Sequence, residues 1–219
     1  MSITQVTKSI AVVIVLTPLL AAGQTPERSR TQGLKETDRF IKAGGTTAQK
    51  IGEGNNQVKS TLDAYNALVT QPSKNMKGDY KKLMKSTDAM NDKVAEARLK
   101  ITEMQKAGET YFSGRAETIK NIQDAQLQGR AKQRLEESQK EFAGVLQGLR
   151  EAGEALEPFR KQLADQVTFL GSDLTPSATA SLKPEADKLN KQGAELFSRA
   201  DNAISRANAY FQGLRAAES

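Results

Sequence analysis

The sequence predicts an all-α fold: an elongated up-down bundle of about four long helices with coiled-coil-like seams. Three observations predict it. Apolar residues recur at alternating steps of three and four through four long stretches, the spacing of helices packed side by side. No segment reads as a strand. The composition has 5% aromatics, no Trp and no Cys, and the mean hydropathy is -0.57. Such a chain has little bulk for a wide core and suits thin, Ala-rich seams between helices.

The first element is a leader. Met1–Ser9 is polar and carries Lys8, Ile10–Leu20 is the apolar run IAVVIVLTPLL, and Ala21 and Gly23 are small. This three-part pattern predicts a secretory signal peptide over residues 1–23. The apolar run falls short of the roughly 20 residues that span a bilayer, which argues against an uncleaved anchor. Pro18 near its end also suits a leader better than a membrane helix. The stretch LLAAGQT has nearly the grammar of a lipoprotein signal, but Gln24 stands where the acylated Cys would be. Cleavage near Gly23-Gln24 would release a periplasmic or secreted protein that is not lipidated. Residues 24–33, including TPERSRT, read as a flexible linker, and residues 34–217 as a single elongated helical-bundle domain.

The first seam runs Thr37, Ile41, Gly44, Ala48, Ile51, Asn55, Val58, Leu62, Tyr65, Val69. Gly44, Gly45, Gly52 and Gly54 each weaken a helix by up to about 1 kcal/mol relative to Ala, so a break is expected near Gly44–Asn56. Gln71-Pro72-Ser73 ends this element. The second seam runs Tyr80, Leu83, Thr87, Met90, Val94, Ala97, Ile101, Met104, Gly108, Tyr111. It then slips by one residue to Phe112, Ile119 and Ile122, giving a helix over Met76–Ile122. Gln123–Gly129 reads as the next turn.

The third seam is Phe142, Val145, Leu149, Ala152, Leu156, Phe159, Leu163, Val167, Leu170, extended upstream by Leu127 and Leu135. Pro158 lies inside it and is expected to kink the helix. Gly171-Ser172-Asp173 breaks the chain, and Thr175-Pro176 supplies an N-cap and a first-turn Pro. Pro184 restarts the helix, whose seam is Leu189, Gly193, Leu196, Ala200, Ala203, Ala207, Tyr210, Leu214. Short turns between long helices imply antiparallel neighbours.

The chemistry available is narrow. The chain has no His and no Cys. That excludes His-based triads, Cys nucleophiles, disulfides, zinc fingers and the Glu-x-x-His ligands of di-iron bundles. Gly52-Glu53-Gly54 lacks the strand and third Gly of a nucleotide-binding loop, since position 57 is Gln57. Asp88, Asn91 and Asp92 lack calcium-loop spacing. Glu136 and Glu137, flanked by Arg134 and Lys140, read as surface ion-pairing residues rather than an acid/base pair. No catalytic, cofactor-binding or metal-binding residue is assigned, no cofactor is expected, and the chain is expected not to be an enzyme.

Tyr65, Tyr80, Tyr111 and Tyr210 fall on seams and are expected to pack there with their hydroxyls reaching solvent. They are not interleaved with clustered cations as a nucleic-acid platform requires. The net charge is +6, spread as alternating signs. Lys77, Lys81, Lys82 and Lys85 form one basic patch, either a solvated face or a contact for anionic lipid headgroups.

The stretch Glu157–Leu182, EPFRKQLADQVTFLGSDLTPSATASL, carries a resemblance. Pro158, Asp165-Gln166-Val167, Phe169-Leu170, Leu174-Thr175, Ala178 and Ala180-Ser181-Leu182 resemble the core of the bacterial domain of unknown function 2959 family. The resemblance implies an exported long-helix envelope protein, often with a lipobox Cys, from which this chain departs at Gln24. It lends no catalytic residues.

The leading functional expectation is a non-enzymatic interaction or scaffold protein of the cell envelope. Its partners would be envelope proteins whose identity the sequence does not specify; oligomeric state stays open. The alternatives are a periplasmic holdase-type chaperone, motivated by a Gly-broken first helix, and a membrane-active helical protein.

Overall fold

The computed structural model describes residues 26–217. The expected signal peptide over residues 1–23 lies outside the described residues. Five helices follow in order: α1 (Pro26–Thr70), α2 (Met76–Lys120), α3 (Ala125–Ser172), α4 (Pro176–Ser181) and α5 (Lys183–Ala216). No strand occurs among the described residues. At 45 to 48 residues, α1, α2 and α3 are each about 70 Å long. The bundle is all-α, as expected, with four long helices and the short helix α4 in addition.

Side chains stop and start these helices at their ends. Pro72 follows the end of α1, and the Asn75 side chain accepts from the Gly78 amide at 3.1 Å to open α2. Asp124 caps α3 by accepting from the Leu127 amide at 2.9 Å. The turn expected over 123–129 is therefore shorter, and α3 already begins at Ala125. Thr175 accepts from the Ala178 amide at 3.2 Å, with Pro176 in the first turn of α4. Each cap satisfies a backbone donor that the helix itself leaves free.

Helices α1 and α3 each pack against both α2 and α5, so α1 and α3 stand on one diagonal of the bundle. Helix α4 lies against α1. The core consists of two clusters strung along the same helices. One gathers Leu62, Tyr65, Leu83, Phe159, Leu163 and Leu189 toward the pole that holds α4. The other gathers Phe40, Met104, Tyr111, Phe112, Phe142 and Phe211 toward the opposite pole. Phe40 is its hub. Its ring stacks on Tyr111 with centroids 5.1 Å apart and meets Phe142 and Phe211 edge-on at 4.8 and 5.0 Å.

Three expectations need correction here. The linker over 24–33 is helical from Pro26 onward, Pro being well placed in the first turn of α1. The break expected near Gly44–Asn56 is absent, because packing outweighs propensity. Gly44 is buried under Phe211, where a Cβ would sit 2.2 Å from the ring, and Thr47 donates to the Lys100 carbonyl at 2.9 Å. Glycine there allows α1 and α5 to approach. Third, Leu127 is 55% exposed and extends no seam. Pro158 is exposed, and α3 continues through it from Ala125 to Ser172.

Candidate functional site

Between the two clusters the bundle carries several small side chains. Gly54 on α1, Ala97 on α2, Ala152 and Gly153 on α3 and Ala200 on α5 surround one recess of about 80 Å³. Larger apolar side chains close it above and below: Val58, Leu156 and Phe197 on one side, Ile51, Ile101 and Leu149 on the other. Only Asn55 and Arg98 bring polar side chains to the lining. The recess thus holds no nucleophile and no carboxylate. Elsewhere, no group of three or more metal-ligating side chains occurs among the described residues.

Both polar residues are tied to a neighbouring helix. Asn55 donates to Asp201 Oδ1 at 3.0 Å, joining α1 to α5. Arg98 pairs with Glu157, joining α2 to α3, and Glu157 also holds Arg160 at 2.9 Å. Arg160 in turn donates to Asn91 at 2.7 Å. Glu157 therefore sits between two guanidiniums. Dehydration raises its carboxyl pKa, but the bonds to Arg160 and Arg98 outweigh this and leave it below the ordinary value.

At the same level, a four-membered ion ring joins α1 to α2. Lys50 lies 2.9 Å from both Glu53 and Glu96, and Lys93 lies 3.2 and 3.1 Å from the same two carboxylates. Hydrogen bonds from Lys50, Lys93 and Gln49 pull the Glu53 carboxyl down to about 2. Glu96 is lowered by Lys50 and Lys93, and both lysines are raised in return, chiefly by Glu96. Ring closure makes this more than an isolated surface pair.

The residues singled out in the sequence are not brought together. Glu136 and Glu137 are exposed, and Glu137 accepts from Gln133 at 2.9 Å. Gly52-Glu53-Gly54 lies within α1, its carboxylate in the ion ring. Lys77, Lys81, Lys82 and Lys85 are exposed on α2, with Lys82 paired to Asp79 at 3.1 Å.

The tyrosine hydroxyls bond within the protein, and Tyr65 is fully buried rather than reaching solvent. Tyr65 donates to Gln166, Tyr80 to the Val167 carbonyl at 3.2 Å, and Tyr210 pairs with Ser138 at 3.0 Å. Burial pushes the Tyr210 pKa up to about 12, and that of Tyr65 higher still than the ordinary value.

The recess was missed in the sequence, although its signal is there. Ala97, Ala152 and Ala200 are small seam residues, and only the helix register shows that they lie at one level beside Gly54 and Gly153.

A family model described as "Protein of unknown function (DUF2959)" matches residues 27–214. No curated protein and no solved structure matches the chain.

Proposed function

The chain belongs to the Protein of unknown function (DUF2959) family, and on that premise we propose that it is a non-enzymatic interaction or scaffold protein of the cell envelope, exported and not lipidated. The observation that carries this reading is the cross-tying of long helices through the middle of the bundle. Between Thr47 and Asn66, α1 is held to α2 by Thr47 to Lys100, by the ion ring, and by Thr61 to Ser86. It is held to α5 by Asn55 with Asp201 and by Asn66 with Asn190 at 2.7 Å. Helices tied in this way resist bending and keep two poles about 70 Å apart. A spacer or docking rod needs that property.

The leader pattern of residues 1–23 supports export, and Gln24 at the place of a lipobox Cys supports release without a lipid. Exposed Lys77, Lys81 and Lys85 offer a peripheral contact with an anionic membrane surface. No described helix is long and apolar enough to cross a membrane. The chaperone alternative drew on an open first seam, and α1 is unbroken, with Ile41, Leu62 and Tyr65 buried.

In-cell cross-linking of the tagged full chain, followed by mass spectrometry, tests the proposal. The expected result is enrichment of a defined envelope protein and a chain beginning near Gln24. Capture of nothing, with Met1 retained, would overturn both the export and the interaction parts. Capture of many unfolded clients would replace scaffold by holdase.

A further inference from the structure

We propose that the recess at the middle of the bundle is a binding site for the hydrocarbon chain of a medium-chain fatty acid, with Arg98 at its mouth receiving the carboxylate. This goes beyond the scaffold role and does not depend on it.

The first ground is that the space is kept open. A Cβ added at Gly153 would meet nothing within 4 Å, and one added at Gly54 would make only ordinary contact, 3.7 Å from the Lys93 carbonyl oxygen. Alanine would fit at both positions and is the better helix former. At Gly44, beneath Phe211, glycine has a packing reason. At Gly54 and Gly153 no such close neighbour exists.

The second ground is what can occupy the space. A recess of about 80 Å³ is several times the roughly 10–15 Å³ that one water needs. Water inside would require two to four polar partners per molecule, and the lining offers only Asn55 and Arg98, both already bonded. An apolar occupant loses nothing there and removes its own surface from water.

The third ground is charge. Glu157 is shared by Arg98 and Arg160, so this trio carries an excess positive charge at the edge of the recess. An incoming carboxylate can take Arg98 while Glu157 keeps Arg160. Neither guanidinium is then left unpaired. Charged groups at the mouth and apolar walls within match a single alkyl chain ending in an anion.

The test is isothermal calorimetry on the full chain with decanoate, and with 1-decanol as the uncharged equivalent, both below micelle formation. The expected result is saturable decanoate binding at one site, with decanol about ten-fold weaker, the scale of one charge-assisted hydrogen bond. Arg98→Gln should weaken decanoate by about the same factor and leave decanol unchanged. Gly153→Leu should abolish both while helix content by circular dichroism is retained. Gly153→Ala should weaken binding several-fold while raising the melting temperature, and it covers the case in which leucine overfills the site.

Absence of saturable decanoate binding to the natural chain would overturn the proposal. So would undiminished binding by a folded Gly153→Leu variant. Equal affinity for decanol and decanoate would overturn the assignment of Arg98.

Discussion

The Tyr65 hydroxyl donates to Oε1 of Gln166 across the diagonal of the bundle, from α1 to α3, with both residues buried. This bond lies within the cluster that also holds Leu62 and Leu163. Tyr65→Phe should cost about 1–3 kcal/mol, because it leaves a buried amide oxygen without a donor. The double variant Tyr65→Phe/Gln166→Leu should recover part of that loss, since both polar groups are then gone. Urea midpoints of the two variants check this; a double variant no more stable than Tyr65→Phe alone would contradict it.

Two adjacent glycines should respond in opposite directions. Gly44 is buried with Phe211 at 2.2 Å from the position of a Cβ, whereas Gly45 is exposed with nothing within 4 Å. The Phe211 ring is itself held against Phe40 and Tyr210 and has little room to yield. Gly44→Ala should destabilise by about 1–3 kcal/mol. Gly45→Ala should stabilise by up to about 1 kcal/mol. Thermal melts of the two variants are the measurement.

The ion ring gives the fold an acid limb. Glu53 has its carboxyl lowered from 4.5 to about 2, and Glu96 is lowered as well. A lowered carboxylate contributes stability that is complete above about 4.5 and is lost as the pH falls toward 2. Lys50 and Lys93 are raised above 10.5, so their contribution is complete below that value and fades as pH climbs through the raised one. Glu53→Gln should flatten the fall of the urea midpoint between pH 4.5 and 2. High salt should flatten it too, since the four side chains are partly exposed. An unchanged acid slope in Glu53→Gln would refute the assignment.

Thr175 is the only side-chain cap found where α4 begins, and α4 is a helix of 6 residues resting on α1. Thr175→Ala should lose about 1 kcal/mol of stability, with Pro176 still fixing the first turn. Asn or Asp at the same position should restore it. A melt that does not distinguish Ala from Asp would show that the cap is not limiting.

Much of the fold was legible because seam spacing reports burial directly. Leu83, Met90, Val94 and Met104 on α2 are all buried where their spacing places them, and the one-residue slip at Tyr111–Phe112 buries both rings. Phe40, Leu146 and Phe211 were not legible, since each lies one position off a seam step while a four-helix core accepts a wider stripe than a two-helix seam. The continuity of α1 was not legible. Propensity counts glycines one at a time, whereas Phe211 meeting Gly44 is a contact across 167 residues of chain. The recess has the same origin. Ile51, Asn55, Ile101, Ala152, Leu156 and Ala200 fit their seams yet remain only partly buried, and all of them line it.

Two packed clusters on one set of helices also govern how the backbone opens. A helix that frays inward from either pole meets a wall of locked rings or leucines before it reaches the middle. A helix that opens at the level of Gly54 or Gly153 is clamped on both sides, so only a turn or two can let go at once. Amide exchange should therefore trace two slow zones, around Phe40 and around Tyr65, separated by a faster one. Local opening is concentrated at the midpoint, where the ties of α1 to α2 and α5 still hold the helices in line, and neither knot is unmade.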